Sequence, residues 1–103
     1  QTARAYNLIG LNLEQYSDYK KAIFFYQKGL KYAYNCSNNF MQYAIHTNLA
    51  NSYCFKKIDY KKGIYHYNKA LYFVNLSNDD YQIMYANLNI TTAYFAVEGM
   101  ILF

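Results

Sequence analysis

Laid against itself at an offset of 41 positions, the chain repeats: Ser17-Asp18-Tyr19-Lys20-Lys21-Ala22-Ile23 returns as Ile58-Asp59-Tyr60-Lys61-Lys62-Gly63-Ile64. Tyr26-Gln27-Lys28-Gly29-Leu30 returns as Tyr67-Asn68-Lys69-Ala70-Leu71, and Asn7-Leu8 meets Asn48-Leu49 and then Asn89-Ile90, all in one register. A unit of this length is too small to bury an apolar face by itself, so successive units must stack and share a core. Neighbours along the sequence are therefore expected to be neighbours in space.

Within a unit the apolar positions advance by three and four rather than by two: Tyr6, Ile9, Leu13 and Tyr16, then Ala22, Ile23, Tyr26, Leu30 and Ala33. That is the period of an α-helix with one buried face. Proline is absent and glycine occurs four times, which leaves Asn-, Ser- and Asp-rich joints as the breaks between long helices. The pattern predicts helices at Ala3 to Gln15, Asp18 to Tyr34, Asn39 to Lys56, Tyr60 to Val74 and Asp79 to Val97, with Gly99 at a turn into a sixth. Asp18 and Asp59 stand where an N-cap accepts orphan amide protons, and Ser77 or Asn78 is the expected cap of the fifth helix. Gly10 against Ala22, and Asn51 against Gly63, are expected to let antiparallel helices approach closely. Residues 1–103 form one domain on this reading, with repeat one at 1–38, repeat two at 39–78 and the first half of a third at 79–103.

Composition agrees with a packed helical chain. A hydrophobic share of 54% over 103 residues excludes disorder as the state of the whole. Ten basic against six acidic residues raise the question of nucleic acid. The lysines recur at helical spacing and Arg4 is the single arginine, which fits a solvated helix face better than a phosphate-reading surface. Cys36 and Cys54 match no zinc or redox spacing, and two buried, reduced thiols in a cytoplasmic protein are expected. Apolar runs such as Ala93 to Val97 are far shorter than a membrane span. A chain that opens on Gln1 rather than Met is expected to be a piece of a longer protein.

Tyr6, Ile9, Gly10 and Leu13, the turn Asp18-Tyr19, then Ala22, Tyr26 and Gly29 resemble the tetratricopeptide repeat. In the second unit the first helix departs from that pattern, with Thr47, Ala50, Asn51 and Cys54, whereas Asp59-Tyr60, Gly63, Tyr67 and Ala70 keep it; the third shows Leu88, Thr91, Thr92 and Phe95. The period is longer than the family's usual one of about 34, and Tyr34 and Asn75 stand where its closing proline often falls. Such stretched repeats resemble those of the peptide-sensing regulators of low-GC Gram-positive bacteria, the PlcR, NprR and Rap type. The resemblance implies a right-handed α-solenoid of antiparallel helix pairs, about two and a half repeats long, whose first helices line a concave groove. It also implies a non-catalytic module that binds an extended peptide or protein partner, as the sensory part of a transcriptional regulator or as a constitutive scaffold.

Asn7, Asn48 and Asn89 occupy one position of successive first helices. They either run along the groove and pair with a peptide backbone or bond to neighbouring helices. Arg4 and Leu11, then Ile45, Ser52 and Phe55, are the other candidate ligand contacts, with Glu14, Ala86, Ala93 and Ala96 at matching positions. A catalytic reading finds little: His46 and His66 lie on different helices without an acidic cluster, and no phosphate loop is present. No metal or cofactor site is expected, nor direct nucleic-acid or membrane contact. Tyr26, Tyr53, Tyr67 and Tyr94 are expected inside; Tyr32, Tyr34, Tyr65 and Tyr72 could offer a surface for a partner. Self-association through an uncovered fifth helix is a further expectation.

Overall fold

The computed structural model describes residues 2–55 and 58–102, except for the side chains of Phe55, Val97 and residues 100–102, and every regular element in that range is a helix. The order is α1 (Ala3–Gln15), α2 (Tyr19–Asn35), α3 (Asn39–Phe55), α4 (Tyr60–Asn75) and α5 (Asp80–Leu102). Helix α1 packs on α2 and α3 on α4; α2 joins the two pairs by packing on α3, and α5 lies against α4 and α3. Helices α1 and α3, adjacent first helices, also touch. No helix among the described residues is long and apolar enough to cross a membrane.

Short polar side chains set the helix starts. Asp18 and Asp59 accept from the amides of Lys21 and Lys62 at 3.3 and 3.2 Å, as the repeat predicts. Thr2 caps α1 and Asn38 caps α3 in the same way. Helix α5 is capped by Asp79, which accepts from the Gln82 amide at 3.1 Å, rather than by Ser77 or Asn78. Ser77 instead accepts from the Asp79 amide and turns the chain into that cap. Two serines, Ser17 at φ 62° and Ser37 at φ 53°, adopt the left-handed conformation that closes α1 and α2. The amides of Asp18 and Asn38 then reach back to the carbonyls of Leu13 and Ala33.

The buried apolar side chains fall into two clusters, one for each helix pair. The first holds Ala22, Ile23, Tyr26 and Ala33 together with Ile45 and Leu49 of α3; the second holds Ala50, Cys54, Tyr67, Ala70 and Ile90. Tyr26 and Tyr67, one repeat apart, are both fully buried. Tyr53 is buried as well, and Tyr94 is half-buried. A Cβ at Gly10 would run into the Tyr26 ring, so this small residue makes room for the tyrosine rather than for Ala22. A Cβ at Gly63 would strike the Cys54 sulfur and come within 3.3 Å of the Ala50 carbonyl oxygen. Gly63 therefore faces Cys54 rather than Asn51, and Asn51 accepts a hydrogen bond from Tyr67 Oη at 2.6 Å.

Two further expectations are corrected. Helix α5 does not turn at Gly99 but continues to Leu102. Asp18 and Asp59 start the second helix of the first two units, whereas the equivalent position in the third is Met100, which carries no oxygen to cap a new helix. Cys36 is exposed at the end of α2, and only Cys54 is buried.

Gly63→Ala should destabilise the chain by about 1 to 3 kcal/mol through overpacking, read as a lower urea midpoint. In a Cys54→Ala background the penalty should shrink, because the sulfur that the new methyl would strike is gone. Equal penalties in both backgrounds would contradict this packing.

Candidate functional site

Helices α1 and α3 meet along a polar seam. Asn48 Nδ2 donates to Asn7 Oδ1 at 2.8 Å, so two amides of the repeat ladder bond to each other. Further along, Ser52 Oγ donates to Glu14 Oε1 at 2.5 Å. Asn89 is exposed and makes no hydrogen bond to Asn48, so the amide pairing is not repeated between α3 and α5.

At the N-terminal ends of α1 and α3 the seam opens into a groove of about 620 Å³. Arg4, Asn7 and Leu8 of α1 line one side, Phe40 and Met41 of α3 the other, and Ala33 of α2 the floor. Arg4 and Leu8 are exposed, whereas Asn7 is 9% exposed. The capping residues Thr2 and Asn38 also border the groove, as does Cys36 at the C-terminal cap of α2, so two positive helix ends and one negative end lie beside it.

The remaining expected contacts lie elsewhere. Leu11 is half-buried against the first core cluster. Ile45 is fully buried and Ser52 is 1% exposed, so neither presents a surface to a ligand. Ile45 packs against α2, where a Cβ added at Gly29 would lie 3.2 Å from its Cδ1, whereas Ser52 is turned to Glu14 of α1. The side chain of Phe55 lies outside the described residues. Ala86 is buried, Ala93 half-buried and Ala96 exposed.

A feature that sequence reading missed joins α3 to α4. His46 and His66, on different helices as expected, face each other with their Nδ1 atoms 2.8 Å apart. The His46 ring stacks on Phe73 and the His66 ring on Tyr53, each nearly parallel, and Tyr53 Oη accepts from Gln27 Nε2 of α2 at 3.3 Å. The cluster thus ties three helices together. One Nδ1 must donate and the other accept, so the contact needs at least one neutral imidazole. The available signal was that the two histidines straddle the joint of one helix pair, so antiparallel packing brings them together. Burial, then His66 and Lys69, lower the His46 pKa to about 3; burial, then Lys62, lower that of His66 to about 4.

Other polar groups are arranged for packing. Tyr26 Oη is buried without a hydrogen bond of acceptable geometry, although the Glu14 carboxylate is near enough to add to the effect of burial in raising its pKa. Burial, then Asp59, push the Cys54 thiol up to about 11, which disfavours the reactive thiolate. Among the described residues no cluster of three or more His, Cys, Asp or Glu side chains could hold a metal ion. The chain matches no protein-family model, no curated protein and no solved structure.

The histidine pair sets a pH dependence. Both folded pKa values lie below the unfolded value of about 6.5, so the unfolded chain binds more protons in acid. The stability is present above that pH and is lost as pH falls towards about 4 for His66 and about 3 for His46. Going from about pH 7 to about pH 5 should cost about 1 to 3 kcal/mol in urea unfolding, and His66→Gln should flatten the slope. An unchanged slope in that variant would assign the dependence to other groups.

Proposed function

We propose that this chain is a non-catalytic binding module, a right-handed stack of antiparallel helix pairs of the tetratricopeptide type, which holds an extended peptide in the α1–α3 groove. The observation that carries this reading is the groove itself, with Leu8, Phe40 and Met41 offering apolar contact and Arg4 and Asn7 offering donors. Its volume falls within the range of roughly 300 to 1,000 Å³ usual for ligand sites. A few convergent polar groups in an apolar groove give a peptide orientation as well as affinity. The same 41-residue register and the packing of consecutive helices support stacking of the units. A non-catalytic role fits the chemistry: the histidines face each other, and the buried thiol is held protonated. On this reading the module is the sensory part of a peptide-responsive transcriptional regulator, where a ligand spanning two helix pairs would bias their relative setting.

A second reading, a constitutive scaffold, is favoured by a different observation. Tyr81, Met84, Tyr85, Leu88 and Phe95 form an exposed stripe on α5, suited to a protein partner or to a second copy of the chain.

Calorimetric titration with a pool of short peptides separates the two readings. Peptide binding should be lost in Arg4→Ala and Leu8→Asp with the melting temperature unchanged, since both side chains are exposed. Binding that ignores both changes, or no binding together with self-association abolished by Phe95→Asp in sedimentation, would favour the scaffold.

A further inference from the structure

A second groove, of about 420 Å³, lies between the second helices α2 and α4 and uses different residues from the α1–α3 groove. Lys31 of α2 and Lys69 of α4 line it, and neither has an acidic partner among the described residues. Lys69 stands 5.6 Å from the centre of the Tyr65 ring. Tyr34 and Tyr65, 72% and 55% exposed, flank the opening. Gln42 of α3 also lines the groove; the residue is only 5% exposed, yet its carboxamide is not among the polar atoms sealed from solvent without a partner, so it opens onto the groove. An amide in that position can bond to water or to a ligand that displaces it. Uncompensated positive charge, exposed phenol rings and an accessible amide thus converge on one opening.

We propose that this groove binds a mononucleotide, with its phosphate between Lys31 and Lys69, its base against the Tyr34 and Tyr65 phenols, and a base edge on the Gln42 carboxamide. Two ammonium groups match the charge of a phosphate monoester. Exposed tyrosines offer flat faces on which a base stacks. A carboxamide presents one donor and one acceptor face, the complement of the adenine N6 and N7 edge. The site is independent of peptide binding, so either assignment can fail alone.

The test titrates adenosine monophosphate into the full chain by calorimetry at fixed ionic strength, with ribose 5-phosphate and N-acetyl-phosphotyrosine amide as comparison probes. Adenosine monophosphate should bind about tenfold or more tightly than ribose 5-phosphate. Combining Lys31→Gln with Lys69→Gln should weaken it about tenfold or more at an unchanged melting temperature. Gln42→Leu should remove the advantage over ribose 5-phosphate. The proposal is overturned if adenosine monophosphate gives no heat or no advantage over ribose 5-phosphate, if the lysine variants have no effect, or if the phosphotyrosine probe binds more tightly. An advantage that survives Gln42→Leu overturns the assignment of the base edge.

Discussion

The fold depends on two phenol rings that must be buried. Tyr26 and Tyr67 occupy one repeat position, each fully enclosed, and each obliges the facing first helix to leave room. Helix α1 does so with Gly10, against which the Tyr26 ring lies. Helix α3 carries Asn51 at the matching position, whose side-chain carbonyl accepts a hydrogen bond from the Tyr67 hydroxyl. One repeat position thus meets its tyrosine with space in one unit and with a hydrogen bond in the other. The Tyr26 hydroxyl, unlike that of Tyr67, makes no well-aligned bond and has the Glu14 carboxylate as its polar neighbour.

From those seats the rest follows in layers. Once α2 is fixed on α1, Gly29 lets it approach α1 and α3 closely, and Ile45 is drawn into the interior. With α3 held there, the α1–α3 contact carries two polar bonds, Asn7 with Asn48 and Glu14 with Ser52, beside apolar residues of the first core cluster. The polar bonds of this seam specify register, because a slipped pairing would strand buried amides. The apolar groove opens at one end of this seam, and the histidine pair and the lysine-rich groove lie on its far side, between α3 and the second helices.

The helices were legible because their causes are local: the spacing of apolar residues, and the Asp18 and Asp59 caps repeated one unit apart. The buried tyrosines were legible for the same reason, since a shared repeat position implies a shared environment. Ile45 and Ser52 were misplaced because a repeat position says which helix a residue belongs to and not how closely the flanking helices approach. For Ile45 that approach is permitted by Gly29 of α2, and Ser52 is taken up by its bond to Glu14 of α1. The helix predicted to end before Gly99 runs on because its end depended on a cap that Met100 does not supply. The His46–His66 contact has no repeat counterpart: the positions one unit before His66 and after His46 are Phe25 and Asn87. Periodicity therefore carried no information about it.

The claim beneath all of this is that consecutive helix pairs stack in register, with residues 41 apart meeting at the seam. A double-mutant cycle on Asn7→Ala and Asn48→Ala, read by urea unfolding, tests it most directly. Stacking in this register predicts a coupling of about 0.5 to 1.5 kcal/mol between the two sites. Strictly additive effects would place the two amides apart and contradict the account.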